Sequence, residues 1–131
     1  MLERPLLFDH WRPWFLTGRE FEMLFMVELN HGPETCVAGK QHASENYAEL
    51  LDGLRGAAAE YGADVVGGWA FPVGHKLWYV VDAEESQTVA DLFFASGLHQ
   101  LNTIQINPVL DHDAFTGWMM NFTDRTTEVA I

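Results

Sequence analysis

Between Met23 and Leu110 the chain reads strand, helix, strand, strand, helix, strand, and its outermost strands have unequal faces. Met23 to Asn30 (MLFMVELN) places Phe25, Val27 and Leu29 on one side and Met26, Glu28 and Asn30 on the other. Thr103 to Leu110 (TIQINPVL) repeats the pattern, with Ile104 and Ile106 opposed to Gln105 and Asn107. Successive side chains of a strand point to opposite faces, so one face is built for helices to cover. The second mixes polar groups into an apolar wall, as a ligand cavity or a subunit interface requires.

The segments between supply the covering layer. From Ser44, the residues Tyr47, Leu50, Leu51, Leu54, Ala57, Ala58 and Tyr61 recur at steps of three and four. That spacing predicts one helix, capped by Ser44 and closed by Gly62. Residues 34–43 read as a loop or as the first helical turns. Asp64 to Phe71 (DVVGGWAF) and Lys76 to Asp82 (KLWYVVD) flank a short turn and form an antiparallel hairpin. Gly67 and Gly68 mark a bulge or a close backbone approach. A second helix, capped by Ser86 and ended by Gly97, buries Val89, Leu92 and Phe93. Two right-handed β-α-β halves then give an α+β fold: βαββαβ, a four-stranded antiparallel sheet of order 4-1-3-2 with two helices on one face. The bare face carries Met26, Trp69, Phe71 and Trp78. Soluble proteins rarely leave such a patch open, and a twofold dimer would close it.

At 131 residues the chain is read as one domain, with an arm over 1–22, a core over 23–110 and a tail over 111–131. The arm (Leu6, Leu7, Phe8, Trp11, Trp14, Phe15) is too apolar for a free tail. It is expected to pack on its own domain or on a second subunit. The tail carries its own patch, Phe115, Trp118, Met119, Met120 and Phe122. A net charge of −12 argues against nucleic acid and anionic membranes as partners. One cysteine, Cys36, excludes an internal disulfide, and the N-terminus lacks the pattern of a secretory signal. The expected location is the cytoplasm.

Glu28 is the leading catalytic candidate. A carboxylate among indole and thioether groups would have its charge disfavoured and its pKa raised, which suits a proton shuttle. The bland alternative is a residue near the strand end that reaches solvent, or one paired with Lys76 or with an arginine of a partner subunit. His31, just past the strand, is a candidate base or an ordinary turn histidine. Asn107 and Gln105 are candidates for orienting hydrogen bonds. Met26, Asn30, Trp69, Phe71 and Trp78 would line a site for a flat apolar ligand, or form ordinary dimer core. His75, in the hairpin turn, reads as solvated. The neighbours of Cys36, Thr35 and Val37, offer no local base, although Lys40 could lie one helical turn away, and Cys36 reads as a small buried hydrophobe. Metal and cofactor are not expected. Paired His or Cys spacing is absent, and of Asp111-His112-Asp113 only the two carboxylates would converge on an extended chain. A metal site would have to be assembled from several strands or across a dimer.

The element order and the stretches LFMVELN, DVVGGWAF, KLWYVVDAEE and TIQINPVL resemble the dimeric α/β-barrel superfamily. Its members are ferredoxin-like domains whose sheets pair into a barrel, among them muconolactone isomerase-like proteins and antibiotic-biosynthesis monooxygenases. The resemblance covers residues 23–110 and singles out no one family. It implies a homodimer and a cofactor-independent monooxygenase or isomerase acting on an apolar or aromatic metabolite. The alternative is a non-catalytic ligand-binding or interaction protein, because function lives in sites grafted on folds.

Overall fold

The computed structural model describes residues 23–125, so the expectations for the arm over 1–22 lie outside the described residues. Four strands, β1 (Leu24–Asn30), β2 (Asp64–Phe71), β3 (Lys76–Asp82) and β4 (Thr103–Val109), form one antiparallel sheet. Their order across the sheet is β2-β3-β1-β4, the order expected from the sequence. The helices are α1 (Gln41–Asp52), α2 (Leu54–Glu60), α3 (Ser86–Ala95) and α4 (His112–Thr123). Short 3-10 turns occupy Pro33–Thr35 and Leu98–Gln100.

The strand β1 is central, and its alternation is strict. Phe25, Val27 and Leu29 are buried under Leu54 and Ala58 of α2, Val89, Leu92 and Phe93 of α3, and Leu98. Burying side chains of this size stabilises the fold by about 1.5–3 kcal/mol each, which pins the register of β1.

A bulge in β2 decides where its aromatics go. Val65 pairs with Val81 on the helix-covered face, and Gly67 pairs with Val80, so Val66 is the extra residue. Unbroken alternation would have put Trp69 and Phe71 on the same face as Val65. The inserted residue reverses the phase, and Trp69 instead lies opposite Trp78 on the face shared with Glu28. Gly68 is required beside the bulge. A Cβ there would lie 2.6 Å from the ring of Tyr79.

The helices and the tail differ from the sequence reading. The first expected helix is two, divided at Gly53, a residue of low helix propensity. It also begins at Gln41, so Ser44 is not its cap: the Ser44 hydroxyl lies inside α1 and donates to the Gln41 carbonyl. Ser86 is likewise the first residue of α3, with Glu85 at the cap position. The largest difference is the tail, which contains α4. Its start is fixed by the Asp111 carboxylate, which accepts from the Ala114 amide at 2.8 Å. The extended-chain geometry in which Asp111 and Asp113 converge therefore does not occur.

The contact at Gly68 gives a stability test. Gly68→Ala is expected to destabilise the protein by about 1–3 kcal/mol through overpacking against Tyr79. In a Tyr79→Ala background most of that cost should vanish. Denaturant melts of the four proteins in this cycle measure the coupling, and an unchanged cost in the Tyr79→Ala background would contradict the contact.

Candidate binding face and histidine cluster

Opposite the core, β1 presents Met26, Glu28 and Asn30. Glu28 lies in register with Trp78 of β3 on one side and Gln105 of β4 on the other. Asn107 faces Met26, and Lys76 faces Asn30. Trp69 and Phe71 complete the face from β2 and are 41% and 49% exposed. The residues expected on one face therefore do share it: Met26, Glu28, Asn30, Trp69, Phe71, Trp78, Gln105 and Asn107.

The Glu28 carboxylate accepts hydrogen bonds from Asn30 Nδ2 at 2.6 Å, Trp78 Nε1 at 3.0 Å and Lys76 Nζ at 3.3 Å. These donors correct the expectation that desolvation raises its pKa. The Asn30 bond, then the Trp78 and Lys76 bonds, stabilise the charged form and hold the carboxyl below its ordinary 4.5, against a smaller opposing effect of desolvation. The side chain is partly open to solvent, so water also supports the charge. At neutral pH Glu28 is an anion that fixes the edge of the Trp78 indole.

His31 belongs to a different constellation. It follows β1, yet its Nδ1 lies 3.2 Å from Asn102 Oδ1. The Asn102 amide is oriented by Nδ2, which donates to the Tyr47 hydroxyl and to the Leu98 carbonyl, both at 3.0 Å. Burial pushes the Tyr47 phenol above its ordinary pKa, keeping that acceptor neutral. With Nδ2 so committed, Asn102 offers an acceptor to His31. Nδ1 is then the donor of this hydrogen bond. His31 Nε2 is buried and has no hydrogen-bond partner among the described residues.

His75 is not the solvated turn residue the sequence suggested. Its ring packs edge-on against His31, with centroids 5.1 Å apart, and its Nδ1 is buried without a hydrogen-bond partner among the described residues. The two loops are tied by the His31 amide donating to the His75 carbonyl. His75 also has φ 57, the one positive value among described non-glycine residues. That left-handed conformation costs an L residue on the order of 1–2 kcal/mol. Cys36, after the 3-10 turn, is half-buried, and donor atoms of His31, Cys36 and His75 lie within 4.8 Å of one another.

Sequence reasoning singled out His31 but missed its neighbours. Cys36 and His75 are brought to it by a loop and a hairpin turn, and no local spacing announces that meeting. A separate cleft of about 390 Å³ lies at the β2 edge between the helices and the sheet, lined by Leu51, Arg55, Gly68 and Tyr79 among others. Among the described residues no helix is long and apolar enough to cross a membrane. Comparison of the chain with protein families, curated proteins and solved structures yields no match.

The Glu28 cluster sets a pH dependence. A carboxyl whose folded pKa lies below its ordinary value contributes stability that is present above pH 4.5 and is lost as pH falls through the lowered value. The stability difference between wild type and Glu28→Gln should therefore shrink as pH is lowered below 4.5. Paired thermal melts across that range measure it, and a difference that stays constant would contradict the hydrogen-bonded anion.

Proposed function

We propose that this chain forms a homodimeric, ferredoxin-like α/β barrel whose facing sheets bind a flat, apolar or aromatic small molecule. The observation that carries this reading is the Glu28 face. It combines partly exposed aromatic rings with one anion held in place by Asn30, Lys76 and Trp78. Apolar walls with a few fixed polar groups are what small-molecule sites need. Trp78 is oriented by its bond to Glu28 and offers a stacking surface, while Gln105 and Asn107 supply hydrogen bonds from the neighbouring strand.

Two exposed surfaces support the dimer. Besides Trp69 and Phe71, the helix α4 leaves Phe115, Trp118, Met119, Met120 and Phe122 exposed. Large apolar patches of this kind mark interaction sites. A second copy of the chain is the simplest occupant, because a twofold axis covers the same patch on both partners.

Of the two functional classes open from the sequence, the state of Glu28 favours binding over proton transfer. As an acid it lacks a proton at neutral pH, and as a base its oxygens are engaged by three donors. A cofactor-independent monooxygenase or isomerase would need a freer group in that position. Glu28 acts in this reading as a positioning residue for Trp78.

Sedimentation equilibrium should find a dimer for the wild type and a monomer for Phe71→Asp, which places a charge in the paired face. Binding of a neutral planar dye such as Nile red, followed by fluorescence, should weaken about two- to tenfold in Trp78→Leu, the worth of an aromatic stacking contact. A monomeric wild type, or dye binding indifferent to Trp78, would overturn the proposal.

A further inference from the structure

We propose that His31, Cys36 and His75 form a site for a divalent transition metal of borderline softness, zinc being the fitting ion, bound by two imidazoles and one thiolate. Three observations converge on it. Donor atoms from these residues already lie within 4.8 Å of one another. Ligands around a tetrahedral zinc sit roughly 3.5 Å apart, so small side-chain rotations complete the set.

Within this cluster two ring nitrogens, His31 Nε2 and His75 Nδ1, are buried without a hydrogen-bond partner among the described residues. Buried polar atoms are normally satisfied, and a neutral imidazole offers one ring nitrogen as a lone-pair donor to a metal ion. The hydrogen bond from His31 Nδ1 to Asn102 Oδ1 completes the pattern. Metal-binding histidines commonly donate their other ring N–H to an oxygen acceptor, which fixes the tautomer and turns the free nitrogen to the ion. Asn102 does this for His31, and Tyr47 and the Leu98 carbonyl hold Asn102 in place.

The left-handed backbone of His75 fits the same account. A turn needing that conformation alone would be served better by glycine, so the histidine is kept there for its ring. The mixed nitrogen and sulfur set selects zinc-like ions over magnesium or calcium, which prefer oxygen. Binding releases the Cys36 thiol proton to solvent and changes no oxidation state. Among the described residues the group has three members, which leaves a fourth position on a tetrahedral ion for water or an exogenous ligand.

The test uses the full chain, stripped with a chelator and titrated with zinc by calorimetry and with cobalt by absorption. The wild type should bind one equivalent per chain. Its cobalt form should show the strong visible bands of a tetrahedral ion and a near-ultraviolet thiolate charge-transfer band. Cys36→Ala should lose that band. His31→Ala and His75→Gly should each weaken zinc binding at least tenfold, and Asn102→Leu about 10- to 100-fold. His75→Gly is the decisive variant, since glycine suits φ 57 and loss of binding there is not loss of folding, as circular dichroism would confirm. His42→Ala and His112→Ala should bind as the wild type does. Failure of the wild type to bind, or affinities unchanged in Cys36→Ala and His75→Gly, would overturn the proposal. The outcome is independent of the dimer and of ligand binding on the Glu28 face.

Discussion

The alternation of apolar and polar side chains along β1 organises the whole fold. Phe25, Val27 and Leu29 are buried beneath α2 and α3. A slip of one residue would bring Glu28 and Asn30 into that core, where an unpaired charge is far too costly to keep. The register fixed by three apolar side chains therefore also fixes where the polar ones stand. Glu28 is delivered opposite Trp78 and Gln105, and Asn30 opposite Lys76, by the packing on the other side of the strand.

The bulge at Val66 extends the same logic to β2. A single inserted residue turns Trp69 and Phe71 away from the helices and toward Glu28. Gly68 leaves room for the Tyr79 ring, which packs against Phe93 in the core. The carboxylate then stays ionised because three donors meet it, and its charge in turn orients the Trp78 indole. Core packing, strand phase and electrostatics thus converge on one face, with the histidine cluster beyond the end of β1.

Much of this was legible in the sequence because strand periodicity is local. The bounds of β2 and β3 and the strand order follow from alternation, turn residues and short connections. The aromatic face followed as well, with Gly67-Gly68 as the mark of the bulge. The helix α4 was legible but unread: Phe115, Trp118, Met119 and Phe122 stand at helical spacing, behind an Asp111 cap. The pKa direction at Glu28 was not legible, because it depends on which donors reach the carboxylate and not on how apolar its neighbours are. Nor was the meeting of His31, Cys36 and His75, which joins a strand end, a loop and a hairpin turn. Asn102 carries no signal of its own in the sequence. Its role appears once Tyr47 and Leu98 are seen to orient its amide.

The two faces of β1 are proposed to do different work, one as core within a chain and the other as the contact between two chains. Isotope-filtered nuclear Overhauser spectroscopy on a mixture of labelled and unlabelled chains reads this directly. Intermolecular contacts are expected from the Met26 methyl and the Trp78 ring, and none from Phe25, Val27 or Leu29. Absence of intermolecular signals from Met26 and Trp78 would contradict it.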